Sequence, residues 1–345
     1  MFFAEVRHAK ESRVTRNINA ILVSLVIPVM NEQASVGVFL KTVHEIFQQH
    51  NINVEYIFVN DGSKDNTLPL LLQLKELYPL VVVDFARNFG KEAALTAGLQ
   101  HARGDVVIPI DVDLQHLPRL MLEMLERWQQ GVNHVIAIRQ TRKEDSWFKR
   151  VTSTWFYKFF NFCSSCEIPA HGGDFRLLDW SIVNHLLSLK ENNRFMKGLF
   201  AWVGGEADFI YFDCEKRAAG STSFNLVKLI RLAWNGIASF STFPLRVWGY
   251  LGVGISMISF LYALWSIIKV VIFGRDVPGY ASLMVGILFL GGVQLISISV
   301  LGEYIGKVFL EVKRRPLYLI SKIYKSDAHD GLGVELTDAR TEVEA

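Results

Sequence analysis

The sequence is poor in cysteine and almost balanced in charge. Its 345 residues include 3 cysteines, and 36 Lys and Arg against 34 Asp and Glu give a formal net charge of +2. Three cysteines are too few for a disulfide framework and fit a reducing compartment. A net charge this small provides no general basic field, so we expect no nucleic-acid partner.

The sequence also predicts neither a zinc-binding cysteine set nor a signal peptide. Cys163 and Cys166 form one C-x-x-C, but no second pair and no nearby histidine pair completes a zinc site. Residues 1–19 are charged and polar, and the apolar run at 20–29 is too short for a signal peptide and contains Pro28. We expect residues 1–19 to form a flexible extension.

Long hydrophobic segments are abundant near the C-terminus. No charged residue lies between Val247 and Ile268 or between Val277 and Gly302. Each segment is long enough to cross a hydrocarbon core of about 30 Å. Basic residues flank the pair, namely Arg231 and Arg246 before it and Lys307, Lys313, Arg314 and Arg315 after it. The positive-inside rule then predicts an inner (plasma) membrane protein with both flanks in the cytoplasm and a short external loop near 269–280.

Residues 20–221 alternate between apolar runs and amphipathic segments. Strands are predicted at 21–29, 54–59, 80–85, 106–110 and 133–138, and helices at 33–48, 66–77, 91–102 and 117–130. This alternation predicts an α/β domain with a mostly parallel sheet and helices on both faces. Ligands of such sheets bind beyond the carboxyl ends of the strands.

Two carboxylates one residue apart, Asp111 and Asp113, follow the fourth predicted strand. They repel each other, and a hard divalent cation offsets that repulsion and bridges to phosphate oxygens. A D-x-D at a strand end therefore indicates a metal-held diphosphate. Taken alone, the same triplet also fits a solvated turn.

Polar clusters follow the first three predicted strands as well. They are Pro28, Asn31 and Glu32; then Asn60 to Asp65; then Arg87 to Lys91. Asp61 can accept hydrogen bonds from a base or ribose, although an ordinary turn with a helix cap would use the same residues. The basic, glycine-containing run at 87–91 opens a helix and suits an anion. Four clusters at one edge of one sheet predict a single binding site.

The motifs VIPVMNE, VNDGSKDNT, ARNFGKEAALTAGL, IPIDVDLQH, GGDFRLL and STFPLRVWGYLG resemble those of glycosyltransferase family 2. More narrowly, they resemble polyprenyl-phosphate glycosyltransferases of the GtrB type, which are related to dolichol-phosphate mannose synthase. The resemblance runs from about residue 20 to about residue 325. It implies a GT-A fold, a nucleotide-sugar donor, a divalent metal (Mg²⁺ or Mn²⁺) and a lipid-phosphate acceptor.

The resemblance also implies a role for individual residues. It assigns Pro28, Glu32 and Asp61 to the nucleoside, Lys91 to the diphosphate or sugar, Asp111, Asp113 and Gln115 to the metal, Asp174 and Arg176 to the sugar and acceptor phosphate, and Arg139, Lys216 and Arg217 to phosphates. Ser223 stands where relatives usually carry lysine, so the predicted contact with the lipid phosphate is less basic at this position. We therefore expect Lys216 or Arg217 to provide more of that contact.

The acceptor chemistry leaves the role of Asp174 open. A phosphate monoester has a second pKa near 6 and is largely dianionic at neutral pH, so it needs little help from a general base. Asp174 could still take a proton, or it could position the sugar or the arginines. Arg176 could contact the acceptor or simply form an ion pair with Asp174. The resemblance implies inversion in a single displacement.

Outside the catalytic domain, residues 222–246 interleave apolar and basic side chains, as do residues 148–162. Such stretches suit helices in the headgroup plane, and packing against the protein core is the alternative. The predicted organisation is therefore an extension at 1–19, a catalytic domain at 20–221, an interfacial region at 222–246, two membrane helices at 247–306, and a basic segment with an acidic disordered tail at 307–345.

Other functions with a D-x-D domain predict different features. A processive polysaccharide synthase needs more spans and a Q-x-x-R-W motif that this sequence lacks. A flippase or scaffold with a degenerate transferase domain predicts a broken donor site, whereas Asp61, Asp111, Asp113 and Asp174 are all present. A non-catalytic membrane scaffold or flippase partner with a retained nucleotide-sugar-binding domain stays the alternative function, and a nucleotide-sugar sensor would have no need of lipid-facing segments. Glucose from UDP-glucose is the first expectation for the donor. The resemblance also suggests a homo-oligomer, such as a tetramer.

Overall fold

The computed structural model describes residues 16–113, 119–139, 161, 172–192, 194–205, 207–212, 241–274 and 279–326. The described strands are β1 Leu22–Val29, β2 Asn53–Asn60, β3 Leu80–Phe85, β4 Val106–Pro109, β5 His134–Arg139, β6 Gly172–Asp179, β7 Ala207–Phe212 and β8 Ile320–Lys325. The described helices are α1 Val36–Gln49, α2 Thr67–Leu74, α3 Lys91–His101, α4 Arg119–Gln129, α5 Trp180–Ser188, α6 Met196–Val203, α7 Phe243–Phe273 and α8 Tyr280–Val312.

The strands form one sheet in the order β7-β5-β6-β4-β1-β2-β3-β8. The pairs β1–β2, β1–β4, β2–β3 and β5–β7 are parallel, whereas β6 runs antiparallel to β4 and β5, and β8 runs antiparallel to β3. The predicted mostly parallel α/β sheet is therefore confirmed. The chain moves outward from β1 to β3 and then returns to β4 on the other side of β1. Ligands of such sheets bind beyond the carboxyl ends of the strands where the strand order reverses, which here is at β1 and β4.

Close helix packing fixes the position of α3 over the sheet. The helix face is built from small residues, and a Cβ added to Gly98 would lie 2.2 Å from Cγ1 of Val26 on β1. Only glycine allows the helix to approach the strand this closely. As a result, the first residue of α3, Lys91, is held at the carboxyl edge of the sheet.

The five predicted strands and four predicted helices of residues 20–139 are present within a few residues of their expected bounds. Strands β6, β7 and β8 and helices α5 and α6 were not predicted. The sequence of β6, GGDFRLLD, begins with two glycines and carries three charges, so it has no apolar run. Strand β8 lies beyond the long apolar helices and is mostly exposed, with the burial pattern of an edge strand.

The described residues fall into two compact units. The first contains the whole sheet, including residues 316–326, and the second contains the two long helices and residues 241–315. In the second unit, Leu245–Lys269 and Ser282–Val312 are long and apolar enough to cross a membrane, and none of their most apolar stretches is buried. The two predicted spans are therefore confirmed as candidate membrane helices. The hydroxyl of Tyr304 on α8 donates to the carbonyl of Ser241, which precedes α7, at 2.7 Å.

Candidate active site

The loop after β2 and the loop after β3 are joined through Asp61. Its carboxylate is buried, and it accepts the backbone N–H of Phe89 at 2.7 Å and that of Gly90 at 3.0 Å. Gly62 makes this approach possible: its φ is +67°, and a Cβ there would lie 2.6 Å from the backbone nitrogen of Asn88. Asp61 therefore fixes the shape of the 86–90 loop, whatever it also contributes to a bound nucleoside.

The loop after β1 is tied to the loop after β2 by reciprocal hydrogen bonds. The N–H of Asn31 donates to Oγ of Ser63 at 3.0 Å, and the N–H of Lys64 donates back to Oδ1 of Asn31 at 2.8 Å. The N–H of Glu32 donates to Oγ1 of Thr67 at 2.9 Å. These bonds hold Glu32 at the same edge as Asp61. Pro28 lies half-buried within β1 next to this edge.

Lys91 connects the third and fourth clusters. Its ammonium lies 2.8 Å from Oδ1 of Asp111 and 2.8 Å from Oδ2 of Asp174. Residues from the start of α3, the end of β4 and the antiparallel strand β6 therefore meet at one point. Burial disfavours the charge on Lys91, but Asp174 and then Asp111 outweigh it and raise its pKa above the ordinary value.

The same ion pair decides the protonation state of Asp174. Burial raises the pKa of this carboxyl, but the charge of Lys91, followed by that of Lys197, lowers it to a net value of about 2. Asp174 is therefore ionised at neutral pH. A carboxylate with so low a pKa is a weak proton acceptor at that pH.

Negative charge is concentrated around Asp111 and Asp113. The pKa of Glu32 is raised first by burial and then by Asp113 and Asp111, so the three acids interact. The side chain of Asp111 is 38 % exposed and can be reached from solvent. Among the described residues, no three His, Cys, Asp or Glu side chains form a ready metal cluster. The pair still fits Mg²⁺ or Mn²⁺, because Mg²⁺ is usually held by one or two carboxylates together with substrate phosphates.

The side chain of Arg176 is buried in the interior of the catalytic domain. It is 4 % exposed, its guanidinium lies 3.9 Å from the ring centroid of Phe200, and its Nη2 donates to the carbonyl of Gly173 at 2.5 Å. Burial lowers the pKa of Arg176 to about 10, although the negative charge of Asp174 acts in the opposite direction. Burial, followed by the positive charge of Arg176, lowers the pKa of His134 to about 3. The predicted contact of Arg176 with a sugar or phosphate stays a prediction.

Two residues that the sequence analysis did not single out lie beside this cluster. Oε2 of Glu92 accepts the N–H of Met196, the first residue of α6, at 2.9 Å. Burial raises the pKa of Glu92 to about 7, and Asp174 and Lys197 act on it electrostatically. An acid directly after the lysine of the FGKEAAL motif was the available signal for Glu92. No local sequence pattern predicts that Lys197, on α6, lies near Asp174 and Glu92.

Several predicted site residues lie outside the described residues. They are Gln115, Lys216 and Arg217. Ser223 and the C-x-x-C at 163–166, which were not assigned to the site, also lie outside the described residues. The backbone of Arg139 ends β5, and its side chain is not described. The structure thus brings together Glu32, Asp61, Lys91, Asp111 and Asp174 at one edge.

Comparison with known proteins matches both units of the chain. Residues 24–187 match the family model "Glycosyl transferase family 2", and residues 243–308 match "GtrB C-terminal hairpin". The SfII prophage-derived bactoprenol glucosyl transferase of Shigella flexneri is 51 % identical over 306 residues, covering 88 % of this chain and 99 % of that protein. The prophage bactoprenol glucosyl transferase homolog of Escherichia coli (strain K12) is 48 % identical over 304 residues, covering 88 % and 99 %.

Among solved structures, mannosyl-3-phosphoglycerate synthase from Rubrobacter xylanophilus superposes with a TM-score of 0.45 at 18 % identity, covering 67 % of this chain and 75 % of that one. The matches to the two family models and to the bactoprenol transferases confirm the predicted resemblance and the GT-A fold class, and they show that the protein is a glycosyltransferase. The chain belongs to glycosyl transferase family 2 and, within it, to the GtrB-type polyprenyl-phosphate glycosyltransferases.

Proposed function

We propose that this enzyme transfers glucose from UDP-glucose to undecaprenyl phosphate at the cytoplasmic face of the inner membrane. The observation that carries the proposal is that Lys91 forms ion pairs with both Asp111 and Asp174 at the carboxyl edge of the sheet. The same chain has two candidate membrane helices. The names of the bactoprenol glucosyl transferases support both the sugar and the acceptor. The product would be a lipid-phosphate-linked sugar for later glycosylation of a cell-surface polysaccharide such as O-antigen.

The donor site would use charges that the structure already holds together. Asp111 and Asp113, with Gln115, would hold Mg²⁺ or Mn²⁺, which stabilises the negative charge that develops on the departing nucleoside diphosphate. Lys91 would contribute a fixed positive charge beside the same oxygens. Asp61 and Glu32, placed by the two linked loops, would bind the nucleoside.

The acceptor phosphate would attack the anomeric carbon directly. One of its oxygens forms the new bond to that carbon while the bond to the nucleoside diphosphate breaks, which inverts the configuration. The acceptor is already largely dianionic, and Asp174 is ionised and paired with Lys91. These facts favour Asp174 as a group that positions Lys91 and the sugar rather than as a general base.

The basic residues near the helix ends support the proposed orientation. Arg246 is close to the start of α7, and Lys313, Arg314 and Arg315 follow α8, so both flanks would face the cytoplasm. On α8, a Cβ at Gly286, Gly291 or Gly292 would meet no atom within 4 Å. These open positions would permit close packing of helices from other copies in a homo-oligomer, as the family resemblance suggests.

A reconstituted transfer assay tests the proposal. Purified full-length enzyme in liposomes would receive undecaprenyl phosphate and a panel of UDP- and GDP-sugars, with and without EDTA. We expect transfer of glucose from UDP-glucose, loss of transfer with EDTA, and recovery with Mg²⁺ or Mn²⁺. Asp111→Asn should lose at least about 100-fold in rate, whereas Glu126→Gln, on the exposed face of α4, should keep it.

Three results would count against the proposal. Full activity after complete metal removal would exclude the role given to Asp111 and Asp113. Binding of UDP-glucose without transfer to any polyprenyl phosphate would favour the scaffold or flippase-partner alternative. Transfer of a different sugar would correct the donor alone.

A further inference from the structure

The chain that leaves α8 returns to the edge of the catalytic sheet. Strand β8 pairs antiparallel with β3, with Tyr324 opposite Val82 and Lys322 opposite Asp84. Beyond the strand, the N–H of Ser326 donates to the carbonyl of Leu80 at 3.1 Å, and Oγ of Ser326 accepts the N–H of Leu80 at 3.1 Å. The C-terminal segment is therefore a paired part of the sheet.

The residues just before β8 contact the start of the 86–90 loop and the helix α3 that follows the loop. The ring of Tyr318 stacks on Phe85, with centroids 4.8 Å apart and 16° between the planes, and the N–H of Ala86 donates to the carbonyl of Leu319 at 2.9 Å. The hydroxyl of Tyr318 is hydrogen-bonded to Oε1 of Gln100 on α3. Tyr318 thus spans from the residue before the loop to the helix that follows it.

Aromatic contacts extend from Tyr318 into the loop itself. Phe85 meets Phe89 edge-on, with centroids 5.7 Å apart and 88° between the planes, and the guanidinium of Arg87 lies 4.3 Å from the ring centroid of Phe89. The N–H of Phe89 is bonded to Asp61. Asp61 therefore holds the end of the loop, and Tyr318 packs against Phe85 just before the loop begins. Lys91 follows the loop directly.

We propose that Tyr318 is a positioning residue of the donor site, which acts by stacking on Phe85 and so fixing the 86–90 loop and Lys91. This inference rests on the proposed function, because it assumes that Lys91 serves the nucleotide-sugar donor. The hydroxyl bond to Gln100 adds a second attachment to the same helix. Burial raises the pKa of Tyr318 to about 12, so the hydroxyl stays protonated for that bond.

Three variants of the full-length enzyme separate positioning from simple stability. Tyr318→Ala removes the stack and the hydroxyl, Tyr318→Phe keeps the stack, and Tyr324→Ala removes an aromatic ring from β8 opposite Val82, before the loop begins. The measurements are KM for UDP-glucose, KM for undecaprenyl phosphate, kcat, the melting temperature, and hydrogen exchange of the peptide that covers 86–91.

We expect Tyr318→Ala to lose about 10–100-fold in kcat/KM for the donor, since displacements of about 1 Å have effects of this size. The KM for the acceptor should change by less than about 2-fold, because no acceptor contact is altered. Tyr318→Phe should stay within about 3-fold of the parent, because the aromatic stack persists. Hydrogen exchange at 86–91 should accelerate in Tyr318→Ala and not in Tyr324→Ala.

Equal losses in Tyr318→Ala and Tyr324→Ala at equal melting temperatures would overturn the inference, because the effect would then be general to β8. A Tyr318→Phe variant as impaired as Tyr318→Ala would overturn the stacking account. If the parent enzyme transferred no sugar, the proposed function would fail, while unchanged exchange at 86–91 in Tyr318→Ala would separately refute the attachment of the loop.

Discussion

Replacing Glu92 with Gln should make the catalytic domain more stable at high pH than the parent. Glu92 is mostly buried between α3 and α6, where its Oε2 accepts the N–H of Met196 at 2.9 Å. Burial disfavours its charged form and, with the repulsion of Asp174, raises its pKa to about 7. A glutamine has a carbonyl oxygen that can accept the same hydrogen bond and carries no charge at any pH.

The direction in which stability changes with pH follows from proton binding by Glu92. The unfolded chain releases the proton of Glu92 near pH 4.5, whereas the folded protein keeps it up to about pH 7. The folded state therefore binds more protons in this interval, and stability falls as the pH rises from about 4.5 to about 7. The shift corresponds to at most about 3 kcal/mol at 1.36 kcal/mol per pKa unit. Because part of the side chain meets solvent, we expect about 1–3 kcal/mol.

Thermal unfolding of the full-length protein in detergent between pH 4.5 and pH 8.5 measures this difference. The melting temperatures of the parent and of Glu92→Gln should nearly coincide at pH 4.5 and diverge above it. At about 2–4 °C per kcal/mol for a domain of this size, the variant should melt several degrees higher at pH 8. Glu126→Gln, at an exposed position of α4, is the control and should follow the parent. Parallel curves for the parent and Glu92→Gln would refute the buried, protonated state.

Two further substitutions test the site. Lys91→Met removes both 2.8 Å ion pairs and should lower the transfer rate at least about 100-fold. The control Lys75→Met removes an ion pair with Glu76 at 3.5 Å at the end of α2 and should have little effect on that rate. Equal transfer rates in the two variants would exclude a catalytic charge at Lys91. Gly62→Ala, at a φ of +67° with the loop backbone 2.6 Å away, should lower the free energy of unfolding by about 1–3 kcal/mol and weaken donor binding. Gly37→Ala, in open space on α1, should do neither, and a stable Gly62→Ala variant with normal UDP affinity would contradict the close loop packing.

The sequence was sufficient to predict the parts of the fold with one strong period. The buried strands β1 to β4 are short apolar runs, and each ends in polar residues that the sheet brings to one edge. The two long apolar helices were predictable because each contains a long uncharged stretch, at 247–268 and at 277–302 of the sequence. Parallel order then places Asp61, Lys91 and Asp111 near one another without any knowledge of side-chain geometry.

The parts that were not predicted depend on contacts between distant segments. Strand β8 exists because β3 offers a free edge, and its own sequence, ISKIYK, is short and half charged or polar. The guanidinium of Arg176 is covered by the ring of Phe200. Phe200 belongs to α6, a helix that no local sequence pattern predicted. A charged residue in a glycine-containing strand gives no sign of which neighbour will cover it.

The proposed donor site is therefore assembled from segments that lie far apart along the chain. The 86–90 loop is fixed by Asp61 after β2, and Lys91 is shared between Asp111 after β4 and Asp174 on β6. Tyr318, which follows the two candidate membrane helices in the sequence, stacks on Phe85 just before the loop. We expect the loss of any one of these contacts to release the loop on one side while the other contacts persist. A truncation that ended before residue 316 would keep every acid of the site and still lose one anchor of Lys91.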